Sequence, residues 1–274
     1  MIIRNLREEL YRGFHNRGMY AALVIGIIFV GLHFFFYVMN YAISYIGNYA
    51  NLDYPYSVFY ITLLFDTNGV FPIYYSYIFP LLAALPYSAS YYEDCKNGYR
   101  NQLLLRGGAG NYLWSKYIAV FITAGAAVVF PVLLDLMVTM VCVPSLIPQM
   151  GTSLFCVGEQ NWLGGLFYMH PFIYFSIYLF LLFCLAGILA SIALAVSAFV
   201  SGKYVVLFTP FIFTLMIESV ITFIGKQKWG VFNIVSCGCI GKTDAQIAFV
   251  AWPVIGVCTF LLYYFAGGKK HDKI

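Results

Sequence analysis

The sequence predicts an all-α polytopic membrane protein, with six transmembrane helices preceded by an N-terminal interfacial amphipathic helix. Three observations predict it. Hydrophobic residues make up 62% of the 274 and charged residues only 9%, at a mean hydropathy of +0.83, which leaves too few polar side chains to cover a water-soluble domain. Stretches free of Asp, Glu, Lys and Arg cover residues 18–52, 67–92, 117–134, 136–158, 160–202, 204–217 and 245–268, and about 20 apolar residues cross a hydrocarbon core as a helix. Finally, the basic residues are gathered in alternate loops.

Residues 1–17 come first. At 100° per residue Ile2, Ile3, Leu6, Leu10 and Phe14 share one arc, while Arg4, Asn5, Glu8, Arg12 and His15 point elsewhere. That is the pattern of a helix lying on a membrane surface, or of an amphipathic helix packed on another protein. It is not read as a cleavable signal peptide, because Arg4 to Arg17 delay the apolar run and no small-residue cleavage site follows.

With Asp135 and Glu218 allowed inside spans, the helices fall near 19–45, 70–92, 114–143, 171–200, 204–224 and 246–266. Basic loop residues stay on the cytoplasmic side. An N-in arrangement puts Arg4, Arg7, Arg12, Arg17, Lys96, Arg100, Arg106, Lys116, Lys203, Lys269, Lys270 and Lys273 inside and only Lys226, Lys228 and Lys242 outside. The expectation is a multi-pass protein of the cell membrane with both termini cytoplasmic, a single transmembrane domain and an extracellular segment at 225–245.

Within the spans, Pro72, Pro80 and Pro86 predict a kinked or broken second helix, either a distorted structural element or a hinge. In the fourth, Gly187, Ser191 and Ala195 at four-residue spacing, with Ala186, Ala190 and Ala193 beside them, form a face that lets helix backbones approach closely, inside the subunit or at a dimer seam. Tyr54, Tyr56, Tyr60, Tyr74, Tyr75 and Tyr77 fit an aromatic belt at the outer boundary.

The seven cysteines make no metal spacing. Cys156, Cys237 and Cys239 fall outside, where a disulfide from Cys156 to Cys237 or Cys239 is expected. Gly241-Lys242-Thr243 fails as a phosphate loop, since the Gly required five positions earlier is Ser236 and no cytosolic strand-to-helix turn surrounds it. HExxH and GxSxG are absent. No catalytic residue, metal ligand, cofactor of its own or nucleic-acid partner is therefore expected. Asp135 and Glu218 are candidates for a transport path, because an ionisable group in hydrocarbon is expensive unless it faces a cavity or a partner. His33, on the first span, is read as a hydrogen-bonded helix contact.

The most informative stretch is 93–116, which runs Glu93-Asp94-Cys95-Lys96-Asn97-Gly98-Tyr99-Arg100-Asn101-Gln102-Leu103-Leu104-Leu105-Arg106, a Gly-rich break at 107–110, and a helix restart from Asn111-Tyr112 to Lys116. Acids, a Gly, a short helix-compatible run, a break and a Lys at the membrane edge follow in order. This arrangement resembles ABC-2 type permeases, the membrane subunits of type V ABC exporters, at Glu93, Gly98, Arg106, Tyr112 and Lys116. The sequence departs from many of them in having Gly107-Gly108-Ala109-Gly110 where a Pro is often found. As motif the resemblance covers about 25 residues; as architecture it covers the chain.

What the resemblance implies is a permease subunit that encloses a path as a homodimer or related heterodimer. Separate cytosolic ATPase subunits would bind the ATP and Mg, docking on a coupling loop whose contact residues would be Glu93, Asp94, Gly98, Arg100, Leu103, Leu104 and Arg106. Export or extraction of an amphipathic peptide, a lipid or a drug is the implied direction, with membrane lipid as the surrounding partner. Two other readings fit the residues alone: a secondary carrier coupled to protons through Asp135 and Glu218, and a non-transporting sensor or immunity scaffold.

Overall fold

The computed structural model describes residues 2–40, 42, 57–66, 69–100, 102, 109–148, 157–158, 161–200, 202–236 and 241–269. Among these residues the fold is helical, with one isolated bridge pairing Asn161 and Gly241. The helices are α1 (Ile2–Phe14), α2 (Arg17–His33), α3 (Val58–Ile61), α4 (Phe71–Ala84), α5 (Ser90–Lys96), α6 (Ala109–Cys142), α7 (Gly164–Met169), α8 (Pro171–Val196), α9 (Lys203–Phe223), α10 (Val231–Val235) and α11 (Lys242–Lys269). A π turn, Phe34–Val38, continues α2.

Five described helices are long and apolar enough to cross a membrane: α2 with its π turn, α6, α8, α9 and α11. The chain is a multi-pass helical membrane protein. Helix α4 is as apolar but only 14 residues long, roughly 21 Å. Its prolines explain the shape. Pro72 sits in the first turn, where a missing N–H is harmless, whereas Pro86 lies in the turn at 85–89 that separates α4 from α5. The chain therefore breaks between α4 and α5, the short helix that carries Glu93 and Asp94.

Helix α8 forms the centre, packed by α4, α6, α9 and α11. Its small residues face inward. A Cβ on Gly187 would lie 2.5 Å from the Phe121 ring of α6, and one on Gly125 of α6 would lie 2.4 Å from the Phe183 ring of α8. Each helix thus offers a glycine to the other's phenylalanine, which brings the backbones close. On the next turn Ser191 Oγ lies 2.9 Å from Thr259 Oγ1 of α11. The small-residue face consequently packs inside the chain.

The two ends of the bundle differ. At one end α1 lies across the start of α6, beside α5 and the 85–89 turn. At the other, residues 57–66 fold back between helices and every one of them is buried.

Candidate functional site

Two buried polar clusters stand out, one at each end. The first begins on α1, where Glu9, Arg12 and Gly13 occupy one face by their i, i+3, i+4 spacing. Glu9 is only 3% exposed. Gly13 is what lets α1 lie so near α6, since a Cβ there would meet the Thr123 methyl at 2.7 Å. Asn16 fixes the exit of the helix by donating from Nδ2 to the Pro86 carbonyl at 2.9 Å.

Lys116 of α6 is fully buried, and its ammonium donates to Glu9 Oε2 at 2.8 Å, Asp94 Oδ2 at 2.5 Å and the Tyr87 hydroxyl at 3.3 Å. Arg12 completes the set, with Nη1 on Glu9 Oε1 at 3.0 Å and Nη2 on Asp94 Oδ1 at 2.7 Å. The Tyr87 hydroxyl donates to Glu9 Oε2 at 2.7 Å and that of Tyr112 to Asp94 Oδ2 at 2.8 Å. All four carboxylate oxygens are thus bonded, and two acids balance two bases. Burying charge is costly unless geometry and hydrogen bonding are this complete. Burial alone would raise the Asp94 carboxyl, but Lys116 and Arg12 outweigh it and hold the group below the ordinary carboxylate range.

The stretch that follows is tied down at further points. Gly98 has φ +70°, the left-handed conformation that ends a helix most cheaply with glycine. Glu93 pairs with Lys203, at the start of α9, at 2.5 Å. Arg100 donates to the Gly267 carbonyl near the end of α11 at 2.8 Å, its guanidinium lying against the Tyr91 ring. Of the predicted coupling residues, Glu93, Asp94, Gly98 and Arg100 therefore reach α9, α1 with α6, a turn, and α11 in that order. Leu103, Leu104 and Arg106 lie outside the described residues.

The second cluster surrounds Asp135, which is 1% exposed on α6. His33 Nδ1 donates to its Oδ1 at 2.6 Å, and the Leu63 backbone N–H donates to its Oδ2 at 2.8 Å. His33 Nε2 is buried with no partner among the described residues. Tyr37 stacks on His33 and gives its hydroxyl to Asp66 Oδ1 at 2.6 Å, an oxygen that also takes the Gly69 N–H at 2.8 Å. Asp135 thereby joins α2, α6 and the 57–66 segment.

Glu218 serves elsewhere. Its Oε1 accepts the Phe232 N–H at 2.8 Å, satisfying the open N-terminus of α10. Among the described residues Asp135 and Glu218 share no partner. Cys156, Cys237 and Cys239 lie outside the described residues. An apolar cleft of about 300 Å³ opens between α8 and α11, walled by Trp162, Phe180, Ile188, Phe249 and Trp252.

The sequence reading did not anticipate Glu9 as the centre of a charge cluster or His33 as the partner of Asp135. A signal for the first exists, since at 100° per residue Glu9 falls at the edge of the apolar arc of α1, beside Gly13 within it. Nothing in the spacing links residues 33 and 135. Compared with known proteins, the sequence matches no family model and no curated protein.

Proposed function

We propose that the chain is the membrane-spanning permease subunit of an ATP-driven exporter of the ABC-2, type V kind, working as a dimer with separate cytosolic ATPase subunits that carry the ATP and Mg. In this reading α4 together with the 85–89 turn counts as a sixth span. Residues 1–17, 93–116 and 268–274 lie on the cytoplasmic side, and 225–245 face out. The basic-residue partition supports that orientation.

The observation that carries the proposal is the neutral four-charge cluster of Glu9, Arg12, Asp94 and Lys116. It fastens the first residues of the 93–116 loop to α1 and α6, and the bonds from Glu93 and Arg100 extend the fastening to α9 and α11. A push on the loop by a partner would reach four helices at once, which is what a coupling element must do to shift a bundle between two access states. The apolar cleft between α8 and α11 is in keeping with an amphipathic peptide, lipid or drug as cargo. A proton-coupled carrier using Asp135 and Glu218 is the weaker reading, since each carboxylate already has a local hydrogen-bonding task and the two share none.

The test is the double variant Leu104→Asp/Arg106→Glu, in which an apolar contact becomes charged and a charge is reversed on the loop. It should insert and dimerise as before yet lose ATPase association and transport-linked hydrolysis. Normal recruitment and transport by that variant would remove the loop from its coupling role.

A further inference from the structure

Residues 57–66 form neither a span nor an exposed loop. All ten are buried, and Val58, Phe59, Ile61, Leu63 and Phe65 have no measurable exposure. The segment enters as the single turn α3 and hangs from the stretch just past the far end of α6: the Ser57 hydroxyl donates to the Leu146 carbonyl at 2.7 Å and the Val58 N–H to the Pro144 carbonyl at 3.1 Å. It then descends to Asp135, two turns below the Cys142 end of α6, a depth of roughly 10 Å. On the way Phe59 and Phe65 pack against Phe167, Phe172 and Phe175. Irregular backbone at membrane depth is tolerated only where protein surrounds it and every polar group finds a partner. Here one N–H, that of Leu63, leaves the segment for a carboxylate on a transmembrane helix.

We infer that 57–66 is a plug closing the α7 end of the bundle, and that Asp135, oriented by His33, is the positioning residue that latches it. The inference rests on the exporter reading for the path that is closed, but the latch itself does not depend on any partner. Two features mark the latch as more than packing. A carboxylate in the apolar layer is used where a backbone carbonyl could accept the same N–H, so the attachment depends on one side-chain oxygen. Its second ligand, His33, sits at the entrance to the π turn, and single π turns occur often at functional sites. Release of Leu63 would free the middle of the plug while its ends stayed tied, Ser57 and Val58 at Leu146 and Pro144 and Asp66 at Tyr37, so it would bow away from α6 rather than detach.

The test uses full-length protein in detergent, with the native cysteines replaced and single reporters introduced at Thr62→Cys on the plug, Val132→Cys one turn deeper on α6, and Ser115→Cys at the other end of α6. All three positions are buried. Asp135→Ala should raise maleimide labelling at Thr62→Cys and Val132→Cys at least tenfold and leave Ser115→Cys within threefold. Asp135→Asn keeps an oxygen for the Leu63 N–H and should leave all three within threefold. Unchanged labelling at Thr62→Cys in Asp135→Ala overturns the latch, and a rise there without one at Val132→Cys overturns the closing role. An equal rise at Ser115→Cys, or an Asn variant as reactive as the Ala variant, overturns the proposal as well, because it reports a loosened bundle. None of these readouts involves an ATPase, so they separate the fate of the plug from that of the exporter reading.

Discussion

Lys116 of α6 holds Glu9 of α1 at 2.8 Å with no water-exposed surface on the ammonium. A helix that the amphipathic pattern assigns to the membrane surface is thereby anchored to a transmembrane helix through a charge at the edge of its apolar arc.

Lys116→Met should consequently strand two carboxylates with one guanidinium. Breaking a buried pair from one side costs about 3–5 kcal/mol, and the loss should appear in denaturant titration of the purified protein. Combining it with Glu9→Gln should cost clearly less than the sum of the two single changes, since the residues share one network. Strict additivity would mean that the contact carries little coupling.

Acid should release the same anchor. The unfolded Asp94 carboxyl titrates near the ordinary value of 3.8, and the folded one lies lower. Its contribution is therefore complete above that ordinary value and is lost as pH falls through the depressed folded value. Hydrogen exchange of α1 amides, corrected for intrinsic rate, should stay slow from pH 7 to about pH 4 and rise below it. Asp94→Asn should flatten that acid limb. A wild-type profile that begins to climb near pH 6 would point to a different group.

The third prediction concerns the cysteines at the α7 end. Asn161 and Gly241 pair in a bridge and the Trp162 and Phe249 rings meet at 4.6 Å in a tilted arrangement, so the flanks of the segments bearing Cys156 and Cys237 with Cys239 are neighbours. Non-reducing mass spectrometry should find Cys156 linked to Cys237 or Cys239, and reduction should lower stability by about 2–4 kcal/mol. Three free thiols would reject the link.

The membrane class was legible because hydrocarbon imposes a simple rule: long runs without charge, read along the chain, need no knowledge of what packs on what. The breakage around Pro86 was legible for a similarly local reason. The plug was not. Val58 to Phe65 is an apolar run too short to span, and only its burial among α6, α7 and α8 tells it from an aromatic belt. His33 as a hydrogen-bonded helix contact followed from its solitude in an apolar run, but its partner lies 102 positions away, and no periodicity bridges such a gap. Likewise the apolar arc of α1 was legible and the partner of Glu9 was not, because helical periodicity says nothing of what a charge at the edge of that arc meets.

The π turn at Phe34–Val38 carries one more consequence, about length rather than identity. A π turn holds an extra residue relative to a regular helix, and one residue corresponds to about 100° of rotation. Deleting a single phenylalanine among Phe34, Phe35 and Phe36 would remove no charge and hardly alter hydropathy. The turn would close to a regular helix and everything beyond it would keep its rotational phase, whereas the same deletion elsewhere in α2 would swing the rest of the helix around its axis. At this point the chain can accept the loss of one residue more readily than it can within the regular turns of α2.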